Sequence, residues 1–132
     1  MKNCNLLYAE IRILVNNGSL KIGICDSEFD LKYRHSVGHN AASLNYGICA
    51  DGSIYKQNNP ENVKLHDIST TSPLGLLLER QEDGTIKFSI FVCRTFQTQF
   101  IIQQKDINDD LFIACSIGST NSKVQIISAI VK

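Results

Sequence analysis

The chain has 132 residues, 43% of them hydrophobic, and its 13 basic and 13 acidic side chains cancel to a formal charge of zero. One domain of this length can bury a proper core, and singly scattered lysines and arginines give no electrostatic basis for binding nucleic acid or an anionic membrane. No apolar run approaches the ~18 residues of a membrane-spanning helix, and Met1-Lys2-Asn3-Cys4-Asn5 lacks the apolar region of a signal peptide, so the expected location is the cytoplasm or nucleus.

Leu6 to Val15 reads as a strand, with Ala9, Ile11, Ile13 and Val15 on one face and Tyr8, Glu10, Arg12 and Leu14 on the other. Asn16-Asn17-Gly18-Ser19 is a turn signal, and Leu20 to Cys25 returns with Leu20, Ile22 and Ile24 inward. Gly23 in mid-strand points to close backbone approach or a bulge. From 26 to 42 the pattern breaks into a long connection carrying Phe29, Leu31, Tyr33, Arg34, His35, His39 and Asn40. A connection this long in a compact domain is often functional; Phe29 and Leu31 are expected to turn back into the core. Ser43 to Ala50 resumes as a strand, Asp51-Gly52 turns it, and Ser53-Ile54-Tyr55-Lys56 returns. Gln57 to Asn62 reads as an exposed connection, and Val63-Lys64-Leu65 as a short alternating segment.

Pro73 to Val92 reads as a β-hairpin: the apolar run Leu74 to Leu78, a polar turn Arg80 to Gly84, then Ile86, Phe88 and Ile90 alternating with polar residues. The first arm is expected to be covered on both faces. Asp83-Gly84 supplies the positive φ that a tight turn needs. Phe96, Thr98, Phe100 and Ile102 then share one strand face, Lys105 to Asp110 is a polar connection, and Leu111 to Ile117 is a buried-type run. After the turn at 118–122, Val124 to Val131 closes the chain as a strand.

No window carries the i, i+3, i+4, i+7 spacing of an amphipathic helix. Roughly ten short strands with turn signals between them predict one all-β domain over residues 1–132, an antiparallel sandwich or barrel.

Chemistry-bearing patterns are sparse. An odd number of cysteines without a leader argues against a disulfide framework; Cys25, Cys49 and Cys115 are expected to be small buried hydrophobes. No Cys-x-x-Cys pair occurs, and His35 and His39 have i, i+4 spacing only on a Gly-containing loop, so no metal is expected. Asp106 to Asp110 opens like a calcium loop, but Leu111 stands at its obligatory glycine and Ile117 at its final glutamate. No nucleophile motif surrounds a cysteine. The expectation is therefore a non-enzyme with no cofactor.

Several segments, in order, resemble the SPRY domain family: Tyr8 to Leu14, its opening strand; Lys21 to Cys25 with Glu28-Phe29-Asp30-Leu31; Val37-Gly38 followed by Ser43-Leu44-Asn45-Tyr46; and Asp51 to Tyr55. Gly75 to Glu79 with Asp83 to Ile90 is the strongest segment, and Leu111 to Gly118 resembles the family's penultimate strand. The resemblance spans about residues 8 to 130. Departures are Leu44 where the family has Trp, Phe91-Val92-Cys93 where an Asn-Gly turn is usual, and Ile113 for Pro. The strands that usually precede the opening one, and the PRY extension, are missing.

The resemblance implies a two-sheet antiparallel β-sandwich of the SPRY or concanavalin-like jelly-roll type. It also implies a protein-interaction module that holds a short peptide or a partner's surface with loops at one end. In SPRY domains attached to SOCS boxes, a tyrosine four residues before the Val-Gly step lines the peptide pocket, and Tyr33 has that spacing here. Candidate partner-binding residues are Tyr33, Arg34, His35, His39 and Asn40, with Ser119, Thr120 and Asn121 from the loop before the final strand. Tyrosine offers apolar area and a hydroxyl at low entropic cost, and the polar neighbours offer hydrogen bonds. A monomer that binds a protein or peptide is expected; a glycan- or small-ligand-binding jelly roll is the alternative of a different class.

Overall fold

The alternation in the sequence becomes two five-stranded antiparallel sheets in the computed structural model, which describes residues 1, 3–15, 20–29, 36–66, 68–69, 72–117 and 123–132. The strands are β1 (Leu6–Val15), β2 (Leu20–Asp26), β3 (Asn45–Cys49), β4 (Ser53–Lys56), β5 (Asn59–Lys64), β6 (Leu74–Arg80), β7 (Ile86–Val92), β8 (Thr95–Ile102), β9 (Leu111–Ile117) and β10 (Lys123–Val131). One sheet runs β10-β1-β6-β7-β8 and the other β5-β4-β3-β2-β9. A single 3-10 turn, Gln104–Asp106, interrupts the connection from β8 to β9.

The core lies between the sheets. Ile11, Leu76, Leu78, Phe88 and Ile90 of the first sheet meet Ile22, Ile24, Tyr46 and Ile54 of the second, all essentially buried. Each such side chain contributes about 1.5–3 kcal/mol through burial. The Tyr46 ring spans the interface, edge-on to Phe88 with centroids 5.5 Å apart and tilted against Phe100 at 5.0 Å. Leu44 is buried beside them where the SPRY resemblance leads one to expect Trp.

The β6–β7 hairpin pairs in register from Leu74↔Val92 to Arg80↔Ile86, with Gly84 at φ 87°. Asp83 Oδ1 accepts from the Thr85 N–H at 2.9 Å and its hydroxyl at 2.7 Å, which closes the turn. Double coverage of the first arm holds only locally. Tyr8 and Phe91 flank Gly75 on the outer face, while Leu77 is half-buried.

Three further expectations change. Residues 57–62 are not a loose connection: Gln57 (φ 47°) and Asn58 (φ 69°) make a two-residue hairpin turn, and Asn59 onwards is a strand. Pro60 is tolerated there because β5 is an edge strand. Phe96 does not share a face with Phe100. A bulge between Ile90 and Phe91 shifts the register so that Phe96 lies opposite Phe91, rings 5.9 Å apart, and is 52% exposed. Of the three cysteines expected inside, Cys25 is buried, Cys49 half-buried and Cys115 exposed. Cys93 and Arg94, both at positive φ, form the β7–β8 turn in place of Asn-Gly.

Candidate functional site

The candidate site is built where two glycines, Gly38 and Gly47, meet. Gly23 of β2 and Gly47 of β3 are cross-strand partners on the outer face of the second sheet. A side chain on Gly47 would run into the Val37 carbonyl, and one on Gly38 would sit 2.7 Å from the Gly47 backbone. Gly23 admits the backbone of Tyr46 in the same way, the close approach its mid-strand position implied. Because Gly38 and Gly47 carry no side chain, the backbone of residues 36–40 can lie directly on the sheet.

Asn45 holds that segment down. It is fully buried. Its Oδ1 accepts the Gly38 N–H at 2.6 Å and the Asn40 N–H at 3.4 Å, and its Nδ2 donates to the carbonyls of Asn40 and Ser43, both at 2.7 Å. One side chain thus satisfies backbone groups that burial would otherwise orphan.

The segment bridges the sheet. Val37 donates its N–H to Ser116 Oγ of β9 at 2.9 Å. Beyond Gly38, the Asn58 N–H reaches the Gly38 carbonyl at 2.8 Å, and the His39 ring stacks on Tyr55 of β4 with centroids 4.4 Å apart. The loops on either side were expected at one end of the sandwich, but they leave it from opposite ends. The 27–44 connection departs where Asp26 pairs with Leu111, and the 118–122 loop departs where Leu20 pairs with Ile117. Only the crossing over the outer face brings the 36–37 backbone to the last residues of β9.

At the β4 side of the crossing is an open cleft of about 440 Å³ lined by Lys21, His39, Cys49, Ala50, Asp51, Ser53 and Tyr55. On its other side a small apolar cluster of Cys25, Phe29 and Val37 anchors the segment; Phe29 is buried, but in this separate cluster and not in the core between the sheets. Asp26, also buried, ties the end of β2 to the β8–β9 connection by accepting the Asn108 N–H at 3.0 Å and its Nδ2–H at 2.9 Å.

Of the residues picked from sequence, His39 lines the cleft, half-buried. Asn40 is buried, its Oδ1 accepting the Ala42 N–H at 2.8 Å, so it braces its own loop instead of facing outward. Tyr33, Arg34, His35, Ser119, Thr120 and Asn121, and Leu31 as well, lie outside the described residues. Sequence reasoning passed over Lys21, Cys49, Ser53 and Tyr55. Their signal was the strand alternation itself: each sits between inward residues such as Ile22, Ile48 and Ile54 and so faces out.

The electrostatics of the cleft run against thiol chemistry. Burial is the main cause that pushes the Cys49 thiol up. Burial first, then the Lys21 ammonium, hold His39 below its ordinary value, with a hydrogen bond donated by its ring to the Asn58 side chain acting the other way. A thiolate–imidazolium pair requires both shifts reversed. His39 Nε2 is buried without a hydrogen-bond partner among the described residues. Among those residues no group of three or more His, Cys, Asp or Glu side chains is placed to hold a metal ion.

His39 gives a pH prediction. With its folded-state value depressed, the unfolded chain binds the proton more readily, so stability is complete above the ordinary histidine range and declines as pH falls through it. The melting temperature of the wild type should drop from pH 7.5 to pH 5.5 more than that of His39→Gln; equal drops contradict the burial argument.

No family model matches the sequence, and no curated protein does. Among solved structures, a human SPRY domain matches with a TM-score of 0.67 at 18% identity, over 96% of this chain and 77% of that one. The fold is SPRY-like.

Proposed function

With a SPRY-like sandwich as the starting point, we propose that the protein is a non-catalytic interaction module. It holds a short peptide or a partner's surface on the outer face of the β5-β4-β3-β2-β9 sheet. The observation that carries this reading is the Val37–Ser116 hydrogen bond. It joins the described ends of the two loops that carry Tyr33, Arg34 and His35 on one side and Ser119, Thr120 and Asn121 on the other. At the β4 end of the same crossing, His39 and Tyr55 offer paired rings, and Lys21 and Asp51 charges of both signs, in an open cleft. Aromatic anchors within a polar rim are the composition of a peptide-binding hot spot.

The five cysteines are all unpaired, which favours a reducing compartment, the cytoplasm or nucleus.

Affinity capture with quantitative mass spectrometry tests the reading. A partner retained by the wild type should fall about tenfold with Tyr33→Ala and with Tyr55→Ala, while Glu82→Ala, on the exposed β6–β7 turn, leaves it unchanged. Retention by both tyrosine variants removes the site.

A further inference from the structure

One corner of the sandwich is open on its core-facing side. β9 closes one sheet and β10 the other. Register places Cys115 and Ile117 on the same face as the core residues Ile22 and Leu20. It places Ile126 and Val131 on the same face as Ile11 and Leu7. Yet Ile117 is 47% exposed, Ile126 64% and Val131 63%, while Ile11 and Ile22, one strand inward, are sealed. Two twisted sheets splay at a corner, and here both edges leave apolar side chains of the core-facing side exposed.

The backbone of β10 is open as well. Leu6 and Lys132 exchange both backbone hydrogen bonds, at 3.0 and 2.9 Å. Antiparallel alternation from that pair turns Ile130 and Ser128 toward β1 and directs the N–H and C=O of Val131 and Ala129 to the free side. Edge strands are normally blunted by charge or proline, but Val124 to Val131 contains neither.

We propose that this corner takes an extended segment of a partner protein, which adds as a strand to the free edge of β10, packs alternate apolar side chains against Ile117, Ile126 and Val131 and carries acidic residues at its ends. Charge selects this occupant. From Leu111 to Lys132 the chain has Lys123 and Lys132 and no Asp or Glu. Two β10 strands pairing antiparallel would bring the Lys123 end of one copy against the Lys132 end of the other, which disfavours a self-dimer. A strand with acidic ends meets both lysines and supplies the missing backbone partners.

A displayed library of random nine-residue segments, selected on the folded protein, provides the probe. Enriched segments should alternate apolar and polar residues and carry Asp or Glu near their ends. A synthetic peptide of the enriched sequence should lose about tenfold or more in affinity with Ala129→Pro, which removes a donor on the free side without touching the β1 ladder, and with Ile126→Asp. Val131→Pro replaces Ala129→Pro if the latter does not fold, and Tyr33→Ala should leave this binding intact, which separates this corner from the cleft. No enrichment, enrichment without acidic residues or alternation, binding that survives both β10 variants, or a dimer in sedimentation that Ile126→Asp abolishes would each overturn the proposal.

Discussion

Asn45→Ala should cost about 3–5 kcal/mol of folding stability, a large share of a small domain's total. The side chain is fully buried and makes four hydrogen bonds to the backbone of its own connection. Alanine leaves the Gly38 N–H and the Asn40 and Ser43 carbonyls without their partner in a place where water enters poorly, and each orphaned group costs about 1–3 kcal/mol. Asn45→Asp should be no milder, because it keeps the acceptor for Gly38 but faces two carbonyl oxygens with a carboxylate. Urea denaturation measures the loss, and hydrogen exchange at Gly38 and Asn40 should quicken more than in the β6–β7 hairpin. A loss below about 1 kcal/mol would mean that the segment is held by the Phe29–Val37 cluster and not by Asn45.

Gly47→Ala should destabilise by about 2–4 kcal/mol and displace the crossing segment. The cause is steric. Gly47 has an ordinary φ, but a Cβ there collides with the Val37 carbonyl and lies 3.0 Å from Gly38 Cα, both backbone, which cannot swing aside as a side chain would. Gly84→Ala is the instructive comparison. Its φ of 87° is unfavourable for alanine, yet nothing lies within 4 Å of the added carbon, so its cost is the conformational penalty alone, about 1–2 kcal/mol. Gly47→Ala should also weaken partner binding, because the His39–Tyr55 stack moves with the segment, whereas Gly84→Ala should not. Equal stability losses, or intact binding in Gly47→Ala, would show that the segment does not rest on the sheet as described.

Most strands were legible because alternation is a direct consequence of one buried face: Ile11, Ile22, Leu76 and Phe88 are each flanked by residues that face the other way. The misread positions share another cause. Phe96 follows a bulge, and a bulge leaves no mark in a pattern of apolar residues. Gln57-Asn58 and Pro60 have loop composition, and only the edge position of β5 makes them a hairpin. Cys115 points inward yet is exposed, since whether a strand has a facing layer depends on sheet order and splay. In the candidate site, the prominence of the 26–42 connection followed from its length. The bracing role of Asn40 did not, because it depends on hydrogen bonds that form only once Asn45 is buried. Lys21 and Tyr55 were readable as outward-facing, but not as neighbours of His39, since the connection crosses the sheet where Gly38 meets Gly47.

The central claim is that partners are held where the crossing segment meets the end of β9. Site-specific photocross-linking tests it most directly, with a benzophenone amino acid in place of Tyr33, Tyr55 or Glu82, one position at a time. The account predicts one shared cross-linked partner from the first two positions, competed away by unlabelled wild-type protein, and none from Glu82 on the opposite sheet. A partner cross-linked equally from Glu82, or from Glu82 alone, would contradict it.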